Sequence, residues 1–128
     1  MRDAAPDVLI ERHPRGPVEV LAVRAAEVIQ ADTIEQLGRE IRQAFDASDA
    51  VGFVLDLARV RFMTSGALGL IIHLRAQLAE RGRRLVMAGA TGDVAHVLEC
   101  TRLAQVIPIY TTADEAVRDI GCGPAAGP

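Results

Sequence analysis

Residues 59–82 read RVRFMTSGALGLIIHLRAQLAERG, and the division of this stretch decides the fold. It begins as extended chain, passes a polar step at Thr64-Ser65-Gly66, and continues as an apolar helix over 66–81 that Gly82 ends. The first two turns are apolar almost all round, which predicts a deeply packed N-terminal half; polarity enters with Arg75, Gln77, Glu80 and Arg81. Ser65 is placed to cap the helix, offering its oxygen to the free amides of the first turn. Gly66 and Gly69 each cost roughly 1 kcal/mol against alanine inside a helix. Close packing on a sheet is the expected compensation, and a surface cleared for the backbone of a partner is the alternative.

The flanking segments alternate in period. AVGFVLDLARV (50–60) is short, β-branched and aromatic, the pattern of a strand buried on both faces, and its polar break at Asp56 is expected to hydrogen-bond the loop ahead of Ser65. Upstream, Ile34, Leu37, Ile41, Ala44 and Phe45 recur at three and four residues and predict a helix over 31–47. Asp32 or Thr33 would cap it, and Glu35, Arg39, Glu40 and Arg42 would face water. DVLIERH (7–13) and PVEVLAVRA (17–25), joined by the turn signal PRG, predict an antiparallel pair. Downstream come a strand at 83–90, a short helix at 91–103, a strand at 106–110 and a capped helix at 111–120. This order predicts one α/β domain over 1–120, with a mixed sheet of four to five strands, an N-terminal hairpin and about four helices. The glycine-proline tail 121–128 is expected to be loose.

Composition narrows the chemistry. The chain has 128 residues, 50% of them hydrophobic, and a net charge of −3, all as expected of a single globular unit. The longest nearly apolar run, 62–74, contains Thr64, Ser65 and His73 and falls short of the roughly 20 apolar residues of a spanning helix, so no membrane insertion is expected. MRDAAPDVLI has no apolar signal core, which makes the cytoplasm the expected location. All 14 basic residues are arginine, and lysine, asparagine and tryptophan are missing, a bias that fits GC-rich coding and a bacterial source. Without lysine there is neither a Schiff base nor the phosphate-binding lysine of a nucleotide loop. The arginines are scattered among 17 acids, and the four aromatics Phe45, Phe53, Phe62 and Tyr110 offer little for base stacking, so nucleic acid is not an expected partner. Cys100 and Cys122 lack metal-ligand spacing, and Cys100 is expected in the core.

An enzyme is the competing class. Ser65 with His73 or His96 and an aspartate would supply the residue types of a hydrolytic triad, but TSGALG has no Gly-x-Ser-x-Gly elbow and His73 lies two turns into a helix read as buried. The two histidines are not paired on one helix face either. Neither catalysis, metal nor cofactor is expected.

Four segments in order, VEVLAVRAAEVIQADTIEQLGREI, VGFVLDLARVRFMTSGALGLI, RRLVMAGATGDVAHVLECTRL and VIPIYTTADEAV, resemble the STAS domain, the family of bacterial anti-sigma factor antagonists that is also found attached to anion transporters. The family motif runs roughly Asp-Ser-Ser/Thr-Gly-Leu-Gly. Here Thr64 stands at the aspartate, Ser65 at the serine that a partner anti-sigma kinase phosphorylates, Gly66 at the second hydroxyl and Ala67 at the first glycine, while Leu68 and Gly69 agree. A later Ser-Gly-Leu appears as Thr101-Arg102-Leu103. The resemblance implies a non-enzymatic antagonist that binds an anti-sigma factor kinase and is switched by phosphorylation of Ser65, with Thr64 as the lesser acceptor. Asp32, Thr64, Ser65, Gly66 and Gly69 would form the partner-binding surface. Arg59 and Arg61 would share one side of an extended segment, facing water, an acidic partner or a phosphate. The alternative is an unphosphorylated STAS subunit docking on a transporter or signalling scaffold through helix 66–81.

Overall fold

The computed structural model describes residues 8–102 and 105–122, with Cys122 described by its backbone alone. The N-terminal hairpin pairs β1 (Ile10–Arg15) antiparallel with β2 (Val18–Val23). A third strand, of two residues, follows as β3 (Glu27–Val28), then α1 (Ala31–Ala47), β4 (Gly52–Asp56), β5 (Phe62–Met63), α2 (Ser65–Ala79), β6 (Arg84–Ala88), α3 (Gly92–Cys100), β7 (Ile109–Tyr110) and α4 (Ala113–Cys122). The main sheet has the order β1-β2-β4-β6-β7, parallel throughout except at the hairpin. This is the mixed, five-stranded α/β layer expected from the alternation of strand and helix patterns.

Strand alternation divides the core into two faces. Leu21, Phe53, Leu55, Leu85 and Met87 point to one face, where Leu37 and Ile41 of α1, Leu68, Ile71 and Leu74 of α2, and Val94 and Leu98 of α3 cover them. Val18, Val20, Val54, Val86 and Ala88 point to the other, covered by Ala116 and Ile120 of α4. β2, β4 and β6 are covered on both faces, which is why they read as nearly unbroken apolar runs.

Several local expectations are corrected. The strand read as 50–60 stops at Asp56, whose Oδ1 accepts the Ala58 amide at 3.0 Å and turns the chain, as its polar break implied. Gly89 sits against this turn: a Cβ there would lie 2.8 Å from Asp56 Oδ1. The chain then forms β5, which pairs with β3 in a separate parallel ladder that the sequence reading did not anticipate. Asp32 is not the cap of α1; Gln30 occupies that position without a side-chain bond, and Asp32 sits in the first turn with Oδ1 2.9 Å from the Thr33 amide. Glu40 does not face water. Its Oε1 accepts the amides of Leu9 at 2.8 Å and Ile10 at 2.9 Å, tying the start of β1 to α1. Glu19, in the middle of an apolar strand, is 3% exposed and paired with both the Nε and the Nη2 of Arg12. Arg83 donates to the carbonyls of Phe45, Ser48 and Ala50 at 2.6–2.8 Å and lies over the Phe53 ring, so one arginine holds the α1–β4 connection.

Near the C-terminus, the strand read as 106–110 shrinks to two residues. Pro108 accepts a bond from the Met87 amide at 3.0 Å but has no N–H to return to β6, so the ladder ends there. Helix 111–120 extends to Cys122, with Thr112 Oγ1 accepting the Glu115 amide at 3.1 Å; the remainder of the expected loose tail, 123–128, lies outside the described residues. Cys100 is exposed rather than buried, because α3 turns Val94 and Leu98 to the core and Cys100 away from it.

Arg102 takes a left-handed conformation, φ 59, immediately after the Thr101 C-cap of α3. Glycine is the residue that reaches this position without a Cβ penalty, and a side chain there costs about 1 kcal/mol. Arg102→Gly is therefore expected to raise stability by about 1 kcal/mol in urea denaturation, while Arg102→Ala, which keeps the Cβ, brings no gain.

Candidate functional site

The site is assembled where β5 meets α2. The parallel pairing of Val28 with Met63, and a bond from the Thr64 amide to the Val28 carbonyl at 3.2 Å, fix the entry to α2 beside the chain that leads into α1. That bond holds Thr64 in an extended conformation, φ −84 and ψ 165, so Thr64 rather than Ser65 is the N-cap. Its Oγ1 accepts the Ala67 amide at 3.2 Å, and its carbonyl accepts the Leu68 amide at 3.1 Å. The expected cap is thus displaced by one residue. Ser65 becomes the first helical residue, exposed, with no hydrogen bond to its hydroxyl among the described residues.

Rotation of α2 is set by what it buries. Ala67, Leu68, Ile71, Leu74 and Leu78 face the core, which leaves Ser65, Gly66, Gly69, His73 and Ala76 on the opposite, exposed side. The N-terminal half is packed on one face only, not all round as its apolar content implied. His73, read as buried, is in water.

The two glycines do not pack against the sheet. A Cβ at Gly69 would meet nothing within 4 Å, and one at Gly66 would meet only Thr64 Oγ1 at 3.6 Å and Ile34 Cδ1 at 3.9 Å. The tight helix contact lies elsewhere: a Cβ on Gly38 of α1 would come 3.1 Å from Leu70 Cδ1. Close packing on the sheet, the compensation expected for Gly66 and Gly69, is therefore not what the geometry shows; both leave open space on the outer side of α2.

The Ile34 contact also places the first turn of α1, which carries Asp32, beside the start of α2. Two apolar side chains that sequence reasoning passed over lie on the outward side of the β3–β5 ladder: Ile29, 46% exposed, and Phe62, 41% exposed. Strand alternation was the available signal, since Val28 and Met63 point inward. Around Ser65 the structure therefore collects Thr64, Gly66 and Gly69, with Ile29 and Asp32 on the neighbouring chain that leads into α1, while Phe62 lines a groove with Arg61, Thr91 and Asp93.

Arg59 and Arg61 have different fates. Arg59 pairs with Glu11 at 3.5 Å; Arg61 is exposed and has no ion pair among the described residues. Glu11 also meets His13 and Arg24, and its carboxyl is held below the usual range by the His13 hydrogen bond first; burial, the next-largest effect, opposes this, and the charges of Arg59 and Arg24 each add a smaller lowering. His96 contacts Cys100 Sγ at 3.5 Å, one turn along α3, and among the described residues no histidine bonds Ser65. Among the described residues no group of three or more His, Cys, Asp or Glu side chains is placed to hold a metal ion, and no helix is long and apolar enough to cross a membrane.

Comparison with known proteins gives a consistent result. Residues 11–116 match the family described as STAS domain. The anti-sigma F factor antagonist of Paenibacillus polymyxa is 24% identical over 108 residues, covering 84% of this chain and 90% of that protein. An anti-sigma factor antagonist from Mycobacterium paratuberculosis superposes with a TM-score of 0.76 at 23% identity, covering 88% of this chain and 92% of that one. The Bacillus cell fate determinant SpoIIAA in its phosphorylated form superposes with a TM-score of 0.63 at 17% identity, covering 87% and 98%.

The capping geometry has a direct consequence. Thr64→Ala removes the side-chain cap of α2 and is expected to cost about 1 kcal/mol in chemical denaturation. Ser65→Ala, which removes no bond, is expected to leave the denaturation midpoint within experimental error.

Proposed function

The chain belongs to the STAS domain family, and on that premise we propose that it is an anti-sigma factor antagonist that binds an anti-sigma kinase and is released when that kinase phosphorylates Ser65. The observation that carries this reading is the state of Ser65: an exposed hydroxyl at the first position of α2, not spent on the cap. Thr64, the lesser candidate as acceptor, has its oxygen committed to Ala67.

The reaction belongs to the kinase, with this chain as substrate. Ser65 Oγ attacks the γ-phosphorus of ATP, an O–P bond forms as the bond to the β-phosphate oxygen breaks, ADP leaves, and the hydroxyl proton passes to a base of the kinase. The product needs no rearrangement of the fold. The amides of Ser65 and Gly66 have no acceptor in the first turn and lie at the positive end of the α2 dipole, where a phosphate is stabilised.

Before phosphorylation the small side of α2 offers the partner a close approach. Gly66 and Gly69 keep the surface low, exposed Ile29 supplies apolar area, and Asp32 supplies a charge. A phosphate at Ser65 adds about two negative charges in the middle of that contact. Repulsion and desolvation of about 3 kcal/mol weaken binding more than a hundredfold. In this reading the chain works in the cytoplasm as a binder and kinase substrate, not as a catalyst.

Intact-mass measurement after incubation with ATP and each anti-sigma kinase of the source organism tests the proposal. One added phosphate is expected on the wild type and none on Ser65→Ala. Absence of phosphate with every such kinase, together with stable co-purification with a transporter, overturns it. The docking face has its own check: Gly69→Trp has room to fold, and is expected to keep the wild-type melting temperature while weakening kinase binding at least tenfold.

A further inference from the structure

The packing of α3 buries Val94 and Leu98 and leaves His96 and Cys100 exposed on the outer side of the helix. The two are four residues apart, so they are neighbours on one helix face. Cys100 is the last residue of α3, and the turn that follows holds it in place: the Thr101 amide donates to the Val97 carbonyl at 3.0 Å, and the Thr101 hydroxyl donates to the same carbonyl at 2.8 Å. The Cys100 thiol is free, and its Sγ lies 3.5 Å from His96 Nε2.

That separation matches the edge of a coordination tetrahedron. With zinc about 2.3 Å from a sulfur and about 2.0–2.1 Å from a nitrogen, the tetrahedral angle sets the two ligand atoms roughly 3.5 Å apart. Sγ and Nε2 can therefore share one cation without changing their spacing, and thiolate with imidazole is a ligand pair that zinc prefers. One chain supplies only half of a set: among the described residues no third His, Cys, Asp or Glu side chain joins the pair, whereas a closed zinc site takes four ligands.

From this we infer that His96 and Cys100 form half of a zinc site, completed by the same pair from a second copy of this chain across a two-fold axis. Each copy contributes one imidazole nitrogen and one thiolate. Two Zn–N and two Zn–S bonds form, the two Cys100 thiol protons leave to solvent, and the two thiolate charges cancel that of the dication, so the joined site is neutral. Exposure of both ligands leaves the ion within reach of the second copy. Two chains of net charge −3 repel each other, and the shared cation is what joins them. The pair lies on α3, not on the Ser65 face of α2, so this inference is independent of the proposed phosphorylation switch.

Titration of the reduced full chain with cobalt(II), a spectroscopic stand-in for zinc, tests this. The visible bands of tetrahedral cobalt, with a thiolate charge-transfer band, are expected to saturate at one ion per two chains. Light scattering is expected to show the mass doubling when zinc is added and halving again on chelation. His96→Ala and Cys100→Ser each change only an exposed side chain; both are expected to keep the metal-free melting temperature and to weaken zinc binding at least tenfold, while Cys122→Ser binds as the wild type does. The inference is overturned by saturation at one ion per chain without a change of mass, by absence of the tetrahedral cobalt bands, by a dimer that survives chelation, or by zinc binding that Cys100→Ser leaves intact.

Discussion

The burial of one face of α2 is the constraint from which the site follows. Leu68, Ile71, Leu74 and Leu78 lie against the sheet, and their spacing of three and four residues permits one rotation of the helix. Once that rotation is set, Ser65, Gly66, Gly69 and His73 have to face out. The close approach of α1 at Gly38 and Leu70 holds the helix laterally, and the bond from Thr64 to Val28 holds its first turn. A serine presented at the start of a fixed helix can be modified without disturbing the core, and the modification is read by whatever rests on the small side of that helix.

A division of labour between Thr64 and Ser65 makes this possible. If one hydroxyl had to serve as both cap and phosphoacceptor, modification would exchange one set of amide bonds for another and unsettle the helix start. Here the cap is Thr64, and Ser65 stands one residue further on with the first two amides near it. In the proposed switch, threonine at the position where the family motif has aspartate supplies the structural bond and leaves the serine free. Gly66 and Gly69 follow the same economy of surface. Their loss of helix propensity is compensated by no close contact among the described residues, and in the proposed switch they give the partner access to the helix.

The order of elements and the two-sided burial of β4 were legible in the sequence because they rest on the hydrophobic pattern of whole segments, which local detail cannot easily overturn. So was the turn at Asp56, a lone polar group at the end of an apolar run. Features set by a single tertiary bond were not. The Val28 carbonyl moved the cap from Ser65 to Thr64, and the β3–β5 ladder that supplies it consists of two residues per strand. Helix α2 looked buried all round because glycine and alanine count as apolar yet bury nothing on its outer side, and His73 was misplaced with them. Glu40 and Glu19 hold backbone amides and an arginine that no local pattern connects to them. Pro108 could have been read as the boundary before β7, since its missing N–H is visible in the sequence.

The account rests on a preformed surface that charge at one hydroxyl turns off. Isothermal titration of the anti-sigma kinase with the unmodified chain and with the chain phosphorylated at Ser65, accompanied by amide chemical shifts of both forms, tests it most directly. Binding should weaken more than a hundredfold on phosphorylation while shifts in β2, β4 and β6 stay in place. Equal affinity of the two forms, or a loss of binding that comes with rearrangement of the sheet, would contradict it.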